Sequence, residues 1–228
     1  MYSNSIRPVT NFSVFPPVLK NLLIINGLFF LAQNPADSPV ALFLREWFAL
    51  WPIDAPDQIL TREGIRATGD FWPWQLVTYG FLHGDLMHIL FNMFALWMFG
   101  VQIENSWGSR RFLVFYFVCV IGAGLIQLAT SVGMGYYTVG ASGGVYGILL
   151  AFGMMFPNNE IFLLFLPFPI KAKWFVLGLG VFAIFGGFTG AASGTAHFAH
   201  LGGMVFGFLL IQYWRGKLPI KPAHGRLF

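Results

Sequence analysis

The chain has 228 residues, of which 57% are hydrophobic and only 10% are charged, and its mean hydropathy is +0.68. This composition excludes an ordinary soluble domain and predicts a protein that crosses a membrane several times. The net charge of +4 does not indicate a nucleic-acid partner, because the basic residues form small clusters scattered along loops. The single cysteine, Cys119, lies in an apolar run, so neither a disulfide framework nor a cysteine-based zinc site is expected.

The first apolar segment, from Val18 to Ala32, follows a polar tail at residues 1–13 and is predicted to be a transmembrane helix. A cleaved signal peptide ending near Ala32 is the alternative. Lys20 and Asn21 interrupt its apolar core, and the polar region before it is long, so we favour a retained helix.

Residues 33–74 form the longest stretch without a spanning segment, and they contain nine charged residues. Within them, the segment from Ala41 to Trp51 mixes aromatic and charged side chains but is too short to cross a bilayer. Tryptophan buries its ring and keeps its N–H wet at a membrane surface, so this segment is predicted to be a helix lying in the interface. An ordinary extracytoplasmic loop is an equally open alternative.

Five further apolar segments predict helices, which makes six in all. They run from Gln75 to Val101, Phe112 to Ser131, Ser142 to Phe156, Trp174 to Phe188 and His197 to Trp214. No repeat or linker divides the chain. We therefore expect an all-α membrane protein, with a six-helix bundle over residues 14–215 and a basic tail at residues 216–228.

The basic residues predict the orientation of this bundle, because cytoplasmic loops carry an excess of Lys and Arg. With both termini in the cytoplasm, ten of the 13 basic residues fall inside and three outside. The inside set is Arg7, Lys20, Arg110, Arg111, Lys171, Lys173, Arg215, Lys217, Lys221 and Arg226, and the outside set is Arg45, Arg62 and Arg66. This orientation places Ser142, His88 and His200 together in the outer half of the membrane.

Ser142 lies in a glycine-rich segment, Gly140 to Gly147, which leads into the fourth predicted helix. That helix has 15 residues, roughly 22 Å, and is shorter than the ~30 Å hydrocarbon core. If it reaches one face of the membrane, it must begin below the other. Ser142 is therefore predicted at a sunken helix N-terminus, although a lone serine there is also compatible with a simple packing residue.

Polar residues in other apolar segments make Ser142 a candidate nucleophile, since buried polar groups in membranes are costly and usually functional. His88 and Asn92 are four residues apart and share a helix face, so both could donate hydrogen bonds to one oxyanion. His200 is followed by Gly203 and Gly207, whose spacing allows close helix packing and would bring His200 to a neighbouring helix.

Histidine is the usual base that takes a proton from serine at neutral pH. Tyr146 lies four residues after Ser142, so its ring could support an imidazole there. No acidic residue is placed to orient the histidine, and the pattern predicts a dyad rather than a triad. His197 competes with His200 by spacing alone, but only His200 carries the glycine spacing.

Four motifs occur in order between about Trp74 and Trp214. They are Gly140-Ala141-Ser142-Gly143 with Tyr146, Leu86-Met87-His88-Ile89-Leu90-Phe91-Asn92, Gly100 with Glu104 and Gly108, and Ala199-His200 with Gly203 and Gly207. Together they resemble the rhomboid family of intramembrane serine proteases.

The resemblance implies that Ser142 is the nucleophile and His200 the general base and acid. The oxyanion site would consist of His88, Asn92 and the backbone N–H of Ser142. Supporting positions implied by the motifs are Tyr146, His83, Gly140, Gly203 and Gly207, of which His83 would help to keep the cavity wet. Glu104 matches a structural hydrogen-bonding position.

The reaction implied by the resemblance is hydrolysis of a peptide bond in or near the transmembrane segment of a substrate, without metal or cofactor. The expected partners are transmembrane proteins and the lipid bilayer, and the expected location is a bacterial plasma membrane. Substrates are expected to enter laterally past the fifth helix and the loop from Thr189 to Ala196, where Gly190 and Gly194 would permit motion.

One departure and two alternatives qualify this reading. Rhomboids commonly have Trp-Arg before the second helix, whereas Trp74 is followed here by Gln75, which puts the anchoring of the loop in question. An inactive relative that binds transmembrane clients would be expected to lack the serine or the histidine. A metal-binding or transport protein could use four histidines, which are His83, His88, His197 and His200. However, no pair of them has His-Glu-x-x-His spacing.

Overall fold

The computed structural model describes residues 12–61, 64–162, 167–189 and 196–220. Its helices are α1 (Pro17–Ala32), α2 (Pro39–Phe48), α3 (Gln75–Thr78), α4 (Leu86–Trp107), α5 (Ser109–Thr130), α6 (Ser142–Met155), α7 (Ala172–Thr189) and α8 (His197–Trp214). Two short antiparallel hairpins pair β1 (Gln58–Thr61) with β2 (Gly64–Ala67) and β3 (Glu160–Ile161) with β4 (Ile170–Lys171). The predicted helical character of the chain is confirmed.

Three helices, α4, α5 and α7, are long and apolar enough to cross a membrane on length and composition. The helices α1 and α6 are apolar but shorter, with 16 and 14 residues. The count of six spans and the side on which the termini lie stay predictions.

The centre of the fold consists of α5, α6 and α8, which pack against one another. Around them, α4 packs against α6, α7 against α8, and α1 against α4. The main buried cluster includes aromatic side chains of α5 such as Phe112, Phe115 and Tyr116. This arrangement places the N-terminal ends of α6 and α8 side by side.

The prediction of one continuous helix from Gln75 to Val101 is wrong. The chain forms α3 and a 3-10 turn at Tyr79–Phe81, and α4 then begins at Leu86. Asp85 caps the new helix, because its carboxylate accepts a hydrogen bond from the backbone N–H of His88 at 2.8 Å. His83 therefore precedes the helix that carries His88 and Asn92. The ends of the other predicted spans shift by three residues or fewer.

The loop between α1 and α3 contains α2. This helix overlaps the one predicted at Ala41 to Trp51, but it begins two residues earlier and ends three residues earlier. Gln75 anchors this loop and is completely buried. Its side-chain oxygen accepts from the N–H of Trp51 at 3.1 Å, and its side-chain nitrogen donates to the carbonyl oxygen of Asp70 at 3.1 Å. A neutral amide thus ties two parts of the loop together at the position where the family commonly has arginine.

Glu104 fastens α1 to α4 and is only 1% exposed. Its carboxylate oxygens accept hydrogen bonds from the N–H groups of Val18 at 3.0 Å and Leu19 at 2.7 Å, at the start of α1. The hydroxyl of Ser109 donates to the same carboxylate at 2.6 Å. Negative charge is favourable at the N-terminus of a helix, where N–H groups lack partners within the helix.

We expect Glu104→Ala to lower the free energy of unfolding by about 3 kcal/mol or more, because three donors lose a charged acceptor. Thermal unfolding of the purified protein in detergent measures this loss. The matched control is Glu160→Ala, which removes an exposed carboxylate. Equal unfolding temperatures for the two variants would contradict the proposed role of Glu104.

Candidate active site

Ser142 is the first residue of α6 and follows a tight turn at Gly140. Gly140 has a φ of 128°, a backbone conformation that residues with a side chain rarely adopt. In addition, a Cβ at this position would lie 2.7 Å from Nε2 of His88. Its backbone N–H donates to the carbonyl oxygen of Tyr79 at 3.0 Å. The Tyr79 hydroxyl in turn donates to the carbonyl oxygen of Val120 on α5 at 2.8 Å. The turn before the serine is therefore held by Tyr79, which is itself hydrogen-bonded to α5.

The structure brings Ser142 and His200 into hydrogen-bond contact, with 2.8 Å between Oγ and Nε2. This contact depends on how closely α8 approaches α6. A Cβ on Gly203 would overlap the carbonyl oxygen of Gly143, and a Cβ on Gly207 would lie 3.5 Å from the Cα of Gly147. Glycines thus face each other across both turns of this contact.

Tyr146 supports the imidazole of His200 by stacking. The two ring centroids are 4.1 Å apart and the ring planes differ by 9°. The tyrosine covers the face of the imidazole, whereas the carboxylate of a triad binds the Nδ1–H at its edge. The geometry is that of a serine and a histidine held by a tyrosine.

His88 and Asn92 lie on the opposite side of the turn. The N–H of Gly84 donates to Nδ1 of His88 at 3.3 Å, so the neutral ring carries its own proton on Nε2. Nε2 and Ser142 Oγ lie 2.7 Å and 3.7 Å from the point where a Cβ of Gly140 would stand. One N–H of the Asn92 amide donates to the His88 carbonyl at 2.9 Å, which leaves its second N–H for a ligand. His88 Nε2 thus lies close to the turn that carries the serine, and Asn92 follows one helical turn later on α4.

Two further candidate histidines, His83 and His197, pack against other rings. His83 is buried, with its ring centroid 5.0 Å from that of His88, and its backbone N–H donates to Gln33 Oε1 at 3.0 Å. His197 has its ring centroid 6.3 Å from that of His200 and 5.5 Å from that of Phe182 on α7. In the part of the chain that the structure describes, no three His, Cys, Asp or Glu residues come together as a metal site.

The sequence did not point to Tyr79 as part of this arrangement. Tyr79 acts through its backbone carbonyl, which no residue pattern reveals, and through a hydroxyl bound to another helix. Gly147 lies in the predicted glycine-rich segment and Gly207 in the predicted glycine spacing, but the sequence did not indicate that these two glycines face each other. The proposed hinge at Gly190 and Gly194 lies outside the described residues.

A family profile described as the rhomboid domain matches residues 71–216, which is well over half of the chain. The chain belongs to the rhomboid family. The resemblance carried by the four motifs is thereby confirmed. Membership of this family, together with three helices of spanning length, makes the chain an integral membrane protein.

Three curated relatives illustrate the range of this rhomboid's similarities. RHOMBOID-like protein 4 of Arabidopsis thaliana is 33% identical over 85% of this chain and 43% of its own length. Rhomboid protease GluP of Bacillus subtilis is 33% identical over 63% of this chain and 26% of its own length. Rhomboid protease GlpG of Klebsiella pneumoniae is 29% identical over 83% of this chain and 59% of its own length. The matches thus cover between about a quarter and three fifths of these relatives.

Proposed function

We propose that this rhomboid is a serine endopeptidase that hydrolyses a peptide bond in or near the transmembrane segment of membrane-protein substrates. The observation that carries the proposal is the 2.8 Å hydrogen bond between Ser142 Oγ and His200 Nε2 at the start of α6. A serine hydroxyl becomes a useful nucleophile only when a base takes its proton, and this histidine is placed to take it. The relatives named as rhomboid proteases support the same activity.

In the proposed reaction, His200 Nε2 accepts the proton of Ser142 as Oγ attacks the carbonyl carbon of the scissile bond. The oxyanion that forms accepts hydrogen bonds from His88 Nε2–H, from Asn92 and from the backbone N–H of Ser142. His200 then donates its proton to the leaving amine, and the acyl-enzyme remains. A water molecule, deprotonated by His200, attacks this ester, releases the new carboxyl terminus and restores the serine.

We expect His88→Ala to lower kcat by about 10²- to 10³-fold while KM changes little, because its hydrogen bond forms only as the oxyanion develops. Asn92→Ala should have an effect of the same kind. Steady-state cleavage of a fluorogenic transmembrane peptide in detergent gives both constants. Asn158→Ala, in an exposed loop, is the control. An increase in KM with unchanged kcat would contradict the oxyanion role.

The proposal includes six spans, formed by α1, α4, α5, α6, α7 and α8, with both termini in the cytoplasm. The split of basic residues supports this orientation. The 14 residues of α6 cover roughly 21 Å of a ~30 Å hydrocarbon core, so Ser142 would lie below the outer surface. Water needed for hydrolysis would reach it through the outer opening of the bundle, lined by polar residues.

A substrate helix must reach this site and unwind locally, because its carbonyls are otherwise bonded within the helix. We propose entry past α7, which is the least embedded of the long apolar helices. Of its most apolar window, 22% is buried, compared with 39% for α4 and 56% for α5. A disulfide that tethers α7 to α4 and leaves cleavage unchanged would count against this route.

The proposed location is a bacterial plasma membrane, although the matched relatives include a plant protein.

Cleavage of a single-span substrate in proteoliposomes tests the proposed function. We expect the wild type to cut the substrate with and without a chelator, and Ser142→Ala to leave it intact. Cleavage that a chelator abolishes would favour a metal-dependent activity of the histidines. Binding without cleavage across a panel of substrates would favour an inactive, client-binding member of the family.

A further inference from the structure

Two cavities adjoin each other at the C-terminal end of α1, with Phe30 in the wall of both. The larger is an apolar groove of about 450 Å³ between the second half of α1 and the first half of α4, lined by residues that include Leu28, Leu90 and Met93. The smaller, of about 70 Å³, is lined by polar residues that include Gln33 and Arg45. An apolar groove thus adjoins a polar pocket that is lined by the positively charged side chain of Arg45.

The groove lies between two points at which α1 is attached. After its last residue, the Gln33 side chain accepts from the N–H of His83 at 3.0 Å and donates to the carbonyl oxygen of His83 at 3.3 Å, just before α4. The bonds from Val18 and Leu19 to Glu104 hold the start of α1 against the end of α4. Further along α1, a Cβ placed on Gly27 would have no atom within 4 Å. The groove is therefore open space at a position where an added side chain would fit.

Arg45 makes the polar pocket suitable for an anion. Arg45 as a whole residue is half-buried, and its guanidinium donates to the carbonyl oxygen of Ala36 at 3.0 Å and lies 5.9 Å from the ring centroid of Tyr137. These contacts hold the side chain in place but use few of its five N–H donors. Guanidinium groups bind phosphate oxygens with paired hydrogen bonds.

We propose that a membrane phospholipid binds here, with one acyl chain in the groove between α1 and α4 and its phosphate at Arg45. The two cavities together match the two parts of a phospholipid, because an apolar groove adjoins a pocket lined by the guanidinium of Arg45, which suits an anionic phosphate. This lipid site goes beyond the proposed protease activity.

The lipid site adjoins the candidate active site through the residues before α4. His83 and Gly84 line the polar pocket, and the N–H of Gly84 donates to Nδ1 of His88 at 3.3 Å. A headgroup in the pocket would contact the segment that sets the tautomer and position of His88. Occupancy of the lipid site is thereby expected to influence the oxyanion side of the reaction.

The test uses the full chain in vesicles of phosphatidylcholine containing phosphatidylglycerol with a diazirine in one acyl chain. After irradiation, we expect adducts to concentrate at Leu28, Leu90 and Met93. Gly27→Leu fills the groove and should lower these adducts by about tenfold, as expected when two methylene groups lose their burial. Gly178→Leu is the matched control, because a Cβ at Gly178 also meets no atom within 4 Å.

A second pair of variants tests the headgroup contact. Arg45→Gln should reduce the same adducts, whereas Arg110→Gln, an equal change of charge at an exposed position on α5, should not. Adducts spread evenly over exposed residues of α7 such as Leu177 and Val181, with no loss in Gly27→Leu, would overturn the proposal. Crosslinking of a benzophenone at Met93 to a substrate helix, rather than to lipid, would also overturn it. Unchanged unfolding temperatures of the variants show that each result concerns binding.

Discussion

Replacing His200 with alanine is expected to lower kcat/KM for a transmembrane peptide by at least about 10³-fold, and Ser142→Ala should have an equal effect. The reason is that the two side chains act as one unit across a 2.8 Å hydrogen bond. Without the imidazole, the hydroxyl loses the base to which it is hydrogen-bonded. Initial rates in detergent, at substrate concentrations below KM, measure this loss directly.

The double variant of Ser142 and His200 is expected to be no slower than either single variant, because the second change removes a group that no longer has a partner. His197→Gln is the control for the competing histidine. Its ring packs beside Phe182 of α7 rather than against the serine, so we expect activity within about tenfold of the wild type. Loss of activity in His197→Gln equal to that in His200→Ala would contradict the assignment of the base.

Gly203→Ala is expected to lower kcat by about 10²-fold and to destabilise the protein by about 1–3 kcal/mol. The added Cβ would overlap the carbonyl oxygen of Gly143, which is backbone and cannot turn aside as a side chain could. The helices α6 and α8 must then separate, and this separation moves His200 away from Ser142. Cleavage rates and thermal unfolding of the same preparation measure both effects.

Gly178→Ala is the matched control for this packing, since it adds the same methyl group to a membrane helix at an open position. We expect it to retain activity and stability. The packing account would be contradicted if Gly203→Ala behaved like Gly178→Ala. Loss of activity in Gly203→Ala at unchanged stability would still agree with displacement of His200.

The sequence predicted the helical fold and the contact between His200 and Ser142, because helical spacing and the cost of burying polar groups in lipid are both visible in it. Tyr146, four residues after the serine, does stack on His200. Gly203 and Gly207 indicated close packing but not the helix they would meet. The partner helix became clear only in three dimensions, where Gly143 and Gly147 face them.

Two features were not predicted from the sequence, one of them local and the other dependent on contacts with distant residues. The sequence around Asp85 is typical of one continuous apolar helix. In the structure, however, the Asp85 carboxylate caps the N-terminus of α4, so α4 is separate from the short helical segments before it. Gln75 reads as a loss of the family's arginine, yet its amide bonds to Trp51 and Asp70 from a fully buried position. Both depend on contacts with backbone groups, which a sequence does not display.

The central claim, that Ser142 is a nucleophile activated by His200, is tested most directly by labelling the protein with a fluorophosphonate and locating the adduct by mass spectrometry. The account predicts a single adduct on Ser142 in the wild type and almost none in His200→Ala. An adduct on another serine, or equal labelling of Ser142 in His200→Ala, would contradict it.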